Sequence, residues 1–174
     1  LSNLSIHMLH INVIIQNIDN FNIEEVLECG QCFHFTKLDK ANYELLAFGK
    51  YLNVTQDGTK LILHNTTMEE FNSYWRIYFD LDNDYSKIKS NIIELDNRLK
   101  DAVEAKPGIR ILKQDFFETL ISFIISQNKQ IPHIKQIVHT ISERFGEKIK
   151  LSCGRTVYAF PTVKQLSLVT EEQL

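Results

Sequence analysis

The stretch FFETLISFIISQNKQIPHI, residues 116–134, decides the predicted architecture of the chain. It opens with an almost continuous run of Phe, Ile and Leu and then turns polar at Ser126-Gln127-Asn128-Lys129-Gln130. A helix that is apolar on nearly every side belongs in a protein core. We therefore predict a buried core helix over residues 115–127, followed by a polar elbow (residues 126–130).

A second helix is predicted to begin directly after the polar elbow. Ile131-Pro132 fits a first helical turn, where the missing N–H of proline costs nothing. Apolar residues at helical spacing then continue to Phe145, and Gly146 falls in the C′ position. Because the first N–H groups of a helix lack intrahelical partners, this helix start suits a phosphate or an exposed base edge.

The first third of the chain has the pattern of a β-sheet. Asp57-Gly58 is a hairpin-type turn signal between two of the apolar runs. A short helix is predicted over residues 23–28. Strands are predicted over residues 10–15, 32–35, 43–54 and 61–64.

From Thr67 onward the apolar period changes to that of helices. Thr67 and Glu70 have the spacing of a capping box, and the aromatic side chains that follow share one helical face. We interpret this aromatic face as core packing rather than as a base-stacking platform. The face comprises Phe71, Trp75, Tyr78 and Phe79. Further helices are predicted over residues 85–93, 96–105, 163–169 and 170–174, and Pro107-Gly108 is the expected boundary between two units.

Composition excludes several classes of protein. The 174 residues carry three Cys, too few for a disulfide-stapled secreted domain, and no run of 18 apolar residues that could cross a membrane. No basic segment opens the chain, so a signal peptide is not expected. We predict a cytoplasmic protein, associated with the nucleoid if the source is bacterial, with residues 1–8 as a vector-derived or disordered start.

Charge is distributed unevenly, although the formal net charge is only −3. Residues 1–112 hold 11 Lys+Arg against 16 Asp+Glu, whereas residues 113–155 hold 7 against 4. The basic excess of the second region is compatible with a face that meets phosphate. Chance scatter over solvated faces explains so small an excess equally well.

Several motifs, in order, resemble the 8-oxoguanine DNA glycosylase family. They are CGQCFHF at 29–35, YFDLDNDY at 78–85, GIRIL at 108–112, the SFIISQN region ending at Asn128, and YAFPT at 158–162. The resemblance implies an α+β fold. A TBP-like antiparallel sheet with helices (residues 9–107) would precede the first helices of an all-α helix-hairpin-helix glycosylase domain (residues 108–174).

Gly30 is the residue that the resemblance assigns to lesion recognition. Oxidised guanine has an N7–H donor where guanine has an acceptor, and a backbone carbonyl can accept that proton. Glycine suits the position because its missing Cβ lets the backbone approach a ligand closely. An ordinary turn glycine ahead of a strand is the alternative.

Asn128 and His133 are the residues that the resemblance assigns to the base left without its partner. A glycosylase must flip its target out of the stack, and the short amide of Asn128 could enter the vacated space and contact the estranged cytosine. Helix capping is the alternative role for Asn128. Many relatives carry Arg where this chain has His133, which predicts looser selectivity for the opposite base; a solvated surface histidine is the alternative.

Lysines near the polar elbow are candidates for sequence-independent contacts with the DNA backbone: Lys129, Lys135 and Lys113. Surface lysines also occur without any such role. Arg110 could instead be a salt-bridge partner of Glu104 or Asp101. The expected partner is double-stranded DNA containing oxidised guanine, with no cofactor, no metal and no membrane.

Cys29 and Cys32 form a C-x-x-C pair, which raises the alternative of a thiol redox protein. That motif normally follows a strand and opens a helix, whereas here it follows a short helix and enters an apparent strand. A zinc site would need Cys153 or a histidine, and no ligand spacing supports one. Buried, inert thiols are therefore the predicted state of Cys29 and Cys32.

The catalytic elements of the resembled family are not found in these residues. Its chemistry uses a glycine-rich hairpin, a Lys that attacks the sugar and a downstream Asp, and no two of the six glycines form a G-x-G pair. The resemblance implies a DNA glycosylase/AP lyase truncated before that hairpin, and we expect these residues to be inactive alone and prone to self-association through uncovered apolar faces. A non-catalytic DNA-binding module is the alternative.

Overall fold

The computed structural model of the chain describes residues 11–173, so the predicted start over residues 1–8 and the predicted strand residue His10 lie outside the described part. The fold is α+β, as expected. Five antiparallel strands form one sheet in the order β1-β5-β4-β3-β2, and two short strands form a separate hairpin. The strands are β1 (Val13–Ile15), β2 (Phe35–Asp39), β3 (Asn42–Ala47), β4 (Lys50–Asp57), β5 (Lys60–His64), β6 (Lys148–Lys150) and β7 (Thr156–Tyr158).

The helices follow the predicted order with shifted ends. Thr67 forms the predicted capping box with Glu70, and the helical stretch after it contains a π-helical segment, Phe71–Trp75. Short 3₁₀ turns occur at Asn97–Leu99 and Glu171–Gln173. The α-helices are α1 (Ile23–Glu28), α2 (Met68–Glu70), α3 (Arg76–Tyr78), α4 (Tyr85–Leu95), α5 (Lys100–Ala105), α6 (Phe116–Ser126), α7 (Ile131–Phe145) and α8 (Val163–Leu166). Among residues 11–173, no helix is long and apolar enough to span a membrane.

The main core lies between the five-stranded sheet and the helices beside it. Side chains alternate along β3 and β4 as the strand period requires, so that every second residue is buried. Tyr43, Leu45, Leu52, Val54, Leu61 and Leu63 enter this core with Val26 and Leu27 of α1 and with the predicted aromatic face Phe71, Trp75, Tyr78 and Phe79. The prediction that these aromatics are core residues is confirmed.

Two strand predictions were wrong. The run over residues 43–54 is two strands, because the chain turns at Phe48-Gly49, both of which have positive φ. The apparent strand over residues 32–35 is a loop up to His34, and all four of its residues are buried rather than alternating. Asp57-Gly58, by contrast, forms the predicted hairpin turn between β4 and β5.

The prediction that the apolar helix over residues 115–127 is buried was also wrong. α6 forms as expected and is capped by Asp115, but Phe116 is 79% exposed and Ser122 is its only buried residue. Ile125 packs with Ile134 and Val138 of α7 and with Phe33 and Phe160 in a small second core. Leu120, Phe123 and Ile124 remain largely exposed. An apolar sequence shows that a helix needs partners but not how many of them the folded chain supplies.

α7 begins and ends where predicted. Pro132 lies in its first turn, and Gly146 follows Phe145. Gly146 has an extended φ of −84° and not the left-handed conformation of a usual C′ glycine. Glycine is needed there for space, since a Cβ would lie 1.8 Å from the carbonyl oxygen of Ala159.

Arg110 joins two loops to the chain segment that leads to α6. Both loops belong to the part of the chain before residue 108 that contains the five-stranded sheet, called the sheet unit below. It is 3% exposed, and its guanidinium lies 4.4 Å from the centre of the Tyr85 ring. It donates hydrogen bonds to four backbone carbonyls, those of Asp19, Asn20, Asp80 and Asn83. The predicted pairing with Glu104 or Asp101 was wrong, because the guanidinium fork is used by backbone acceptors. Burial lowers the pKa of Arg110.

Replacing Arg110 by Met should therefore lower the free energy of unfolding by about 3 kcal/mol, because one buried and three partly buried backbone carbonyls lose their charged donor. Urea denaturation measures the change. Arg98→Met is the matched control: the Arg98 side chain is 90% exposed and pairs with Asp96 at the surface, and its loss should leave the urea midpoint unchanged. Equal midpoints for the two variants would contradict the role given to Arg110.

Candidate nucleic-acid interface

The Gly30 loop (residues 29–34) connects the end of α1 to β2. Gly30 has a φ of +86°, a left-handed conformation that side chains rarely adopt. Asn22 caps the other end of α1, accepting from the N–H groups of Glu24 and Glu25. Since α1 is only two turns long, the position of the loop depends mainly on its own contacts.

Gln31 fixes the Gly30 loop through four hydrogen bonds. Its side-chain amide donates to the carbonyls of Val26 and Arg110, at 2.9 and 2.8 Å. Its side-chain oxygen accepts from the N–H of Leu112, and its backbone carbonyl accepts from the Gln114 amide at 2.6 Å. Gln31 therefore ties the loop to residues 110–114. Gln31 is not among the predicted site residues, although its position directly after Gly30 in the CGQCFHF motif was a usable signal.

The polar elbow lies on the surface between α6 and α7. Asn128, Lys129 and His133 are all exposed. Gln130 precedes α7 without a side-chain cap to the described residues, so N–H groups at the start of this helix stay available to a ligand. The alternative that Asn128 caps α7 is not what the structure shows, because the N-cap position is Gln130.

The Gly30 loop and the start of α7 are neighbours in space. A Cβ built on Gly30 would lie 4.0 Å from Cδ1 of Ile131, the first residue of α7. The tertiary fold thus brings Gly30 beside the junction of the polar elbow and α7, which carries Asn128 on one side and His133 on the other.

The three candidate lysines lie in different environments. Lys129 is an exposed residue of the polar elbow. Lys113 is half exposed, with Nζ 3.8 Å from Oδ1 of Asp80. Lys135 places Nζ 3.4 Å from the centre of the Phe35 ring, and burial lowers its pKa. A DNA-backbone role stays a prediction for all three, and it fits Lys135 least because that ammonium is held over a ring.

Both cysteines of the C-x-x-C pair are free, but they differ in burial. Cys32 is buried, which raises the pKa of its thiol to about 12. Cys29 is exposed, so the prediction of two buried thiols was right for Cys32 and wrong for Cys29. A redox pair needs a depressed thiol pKa, and the environment of Cys32 acts in the opposite direction. Among residues 11–173, no three His, Cys, Asp or Glu side chains are grouped to hold a metal ion.

The fold and the order of the motifs place the chain among the N-terminal domains of one family. Residues 13–120, more than half of the chain, match the family described as 8-oxoguanine DNA glycosylase, N-terminal domain, and the chain belongs to this family. The resemblance stated from the sequence motifs is confirmed.

Solved structures of relatives superpose closely on the chain. The apo form of the Clostridium acetobutylicum 8-oxoguanine glycosylase/lyase has a TM-score of 0.87 at 41% identity. The same enzyme with double-stranded DNA containing cytosine opposite 8-oxoguanine has a TM-score of 0.86 at 40% identity. Each match covers 95% of this chain and 58% of the relative. The N-glycosylase/DNA lyase of Saccharomyces cerevisiae is 43% identical over 68 residues, 38% of this chain and 18% of that protein.

The chain therefore spans less than two thirds of the length of these relatives.

We expect the thiols to differ in reactivity. Iodoacetamide at neutral pH should label Cys29 and Cys153 in the folded protein, because both are exposed, while Cys32 should stay unlabelled until denaturant is added, because thiolate is the reactive form. Mass spectrometry of peptides measures the labelling of each cysteine, with Cys153 as the internal reference. If Cys32 in the folded protein were labelled as fast as Cys153, the redox interpretation of the C-x-x-C pair would be favoured again.

Proposed function

We propose that these residues form the base-recognition part of an 8-oxoguanine DNA glycosylase/DNA lyase that acts on double-stranded DNA by base flipping. The observation that carries the proposal is the proximity of the Gly30 loop and the polar elbow, in a chain that belongs to the N-terminal domain family of such enzymes. A relative 40% identical to the chain has been solved with DNA containing 8-oxoguanine opposite cytosine, which supports the same substrate here.

Gly30 is proposed to read the oxidised base. Its carbonyl would accept the N7–H of 8-oxoguanine, whereas N7 of guanine would face that carbonyl with a lone pair and leave both groups unsatisfied. Such a mismatch costs on the order of 1–3 kcal/mol. Gln31 supports this role because it holds the adjacent peptide to residues 110–114 and so limits how far the carbonyl can adjust.

Asn128 is proposed to fill the space left by the flipped nucleotide, with its amide donating to and accepting from the estranged cytosine. Its exposure on the polar elbow supports that reach. His133, also exposed, would offer the same cytosine fewer donors than an Arg, so discrimination among opposite bases should be weak. Lys129 and Lys113 would add phosphate contacts that weaken as salt increases. Binding of duplexes that differ only in the opposite base tests these roles.

The covalent chemistry is proposed to require residues that these 174 do not contain. The enzymatic step needs an activated nucleophile such as a Lys amine, and no lysine here has the motif context of the resembled family. The exposed apolar side chains of α6 support this view, as does the apolar groove between α4 and α5 lined by Ile88, Ile92 and Val103. These are the surfaces that further helices would cover.

The same uncovered surfaces support a proposal about the isolated 174 residues: they should self-associate through α6. Sedimentation velocity of the 174-residue chain and of its Phe123→Asp variant measures this association, which the variant should weaken. A 174-residue chain that is monomeric at micromolar concentration would contradict the proposal.

A location in the cytoplasm stays a prediction.

Borohydride trapping tests the enzymatic proposal. On a duplex with 8-oxoguanine opposite cytosine, the product of the full reading frame should form a covalent adduct, because a lysine imine is reducible, while the 174-residue chain should form none. An adduct with the 174 residues would mean that a lysine among them is the nucleophile. No adduct with either protein would contradict the lyase and favour a non-catalytic DNA-binding module.

Gly30→Ala in the full protein should reduce the preference for 8-oxoguanine over guanine duplexes by about tenfold, because a strained φ displaces the reading carbonyl. Gly154→Ala is the matched control. Gly154 has the same φ of +86° with nothing within 4 Å of the added Cβ, so it should share the backbone strain and leave the preference unchanged. Fluorescence anisotropy with both duplexes gives the ratio of affinities. Equal ratios in the two variants would rule out Gly30 as the reader.

A further inference from the structure

His34 ends the Gly30 loop with a buried imidazole that has no hydrogen-bond partner among residues 11–173. The residue is 8% exposed, and neither ring nitrogen makes a hydrogen bond to the described residues. An unsatisfied polar group at that depth costs free energy unless a nearby group compensates. The group at hand is Glu118, whose Oε1 lies 3.3 Å from Nδ1 of His34. The two atoms are close enough for an electrostatic contact, although they do not form a hydrogen bond.

The surroundings of His34 leave Glu118 as its natural electrostatic partner. The two side chains border a cavity of about 10 Å³ together with Cys32, Tyr78, Gln114 and Asp115. Burial raises the pKa values of both Cys32 and Tyr78, so these two groups stay neutral at physiological pH. Asp115 is already engaged as the cap of α6, accepting from the N–H groups of Phe117 and Glu118.

The contact between His34 and Glu118 joins the Gly30 loop to α6, the helix that leads into the polar elbow. His34 lies at the far end of the Gly30 loop, where its carbonyl accepts from the N–H of Leu46 in β3. Glu118 lies in the first turn of α6, the helix that leads into the polar elbow and Asn128. Gln31 fixes the near end of the loop to residues 110–114, and the His34–Glu118 contact links its far end to α6.

We infer that His34 is a positioning residue for lesion recognition: through Glu118 it sets the position of the Gly30 carbonyl relative to α6 and the polar elbow. The inference rests on the proposed function. A purely structural histidine would affect stability and would weaken binding to damaged and undamaged DNA alike. A positioning residue changes the ratio of the two affinities, because only the damaged base presents a donor to the Gly30 carbonyl.

The test uses the full-length protein with His34→Leu, Glu118→Gln and the double variant. Anisotropy with 8-oxoguanine·cytosine and guanine·cytosine duplexes gives the affinity ratio for each. Each single variant should reduce the ratio about tenfold, and the double variant should reduce it no further, since both remove one interaction. Should His34→Leu fail to fold, Glu118→Gln still tests the contact, because it keeps the shape of a partly exposed side chain.

His139 and Glu143 on α7 supply the matched control. They form an exposed His–Glu pair whose Nε2–Oε1 distance is also 3.3 Å, and His139→Leu and Glu143→Gln should leave the ratio unchanged. If His34→Leu and Glu118→Gln keep the affinity ratio of the unchanged protein, or if their losses add in the double variant, the inference about His34 is wrong while the proposed function still stands. A parent protein without any preference for the damaged duplex would overturn the proposed function, and the inference with it.

Discussion

The interaction on which the rest of the molecule depends is the attachment of residues 108–114 to the sheet unit. Arg110 contributes one half of it by donating to carbonyls in two loops that are far apart in sequence. Gln31 contributes the other half by bonding to Arg110, Leu112 and Gln114. Both residues satisfy backbone groups that burial would otherwise leave unpaired. The segment between the sheet and α6 is thereby part of the fold and not a free linker.

That attachment explains how the proposed recognition site draws on distant parts of the chain. Gly30 follows a two-turn helix in the sheet unit, whereas Asn128 and His133 flank the start of α7. Neither α1 nor the polar elbow could hold such an arrangement alone, since α1 has only six residues and the residues of the polar elbow are largely exposed. The fixed segment, with Gln31 near one end of the loop and the His34–Glu118 contact at the other, gives the Gly30 carbonyl a defined position. A reader of a single proton needs that rigidity, because a carbonyl that moves freely can avoid an unfavourable contact.

Exposure of α6 and of the groove between α4 and α5 has a common physical basis. α6 is apolar on nearly every side, whereas α4 is amphipathic and has one apolar face, part of which lines the groove. Within residues 11–173 they meet only part of the surface they could bury. The Clostridium acetobutylicum enzyme that superposes on 95% of this chain is itself matched over 58% of its length.

The sequence by itself determined the order of elements, the capping box at Thr67, the aromatic face of the core, the start of α7 at Pro132 and the family. These features depend on local chemistry: caps, proline, side-chain period and motifs are read within a few residues. Tertiary structure alone decided that residues 43–54 form a hairpin, that Cys32, Phe33 and His34 are buried in a loop, and that α6 is exposed. It also decided the partners of Arg110, Gln31 and His34. Which groups a side chain meets depends on contacts between residues distant in sequence, and those contacts exist only once the chain has folded.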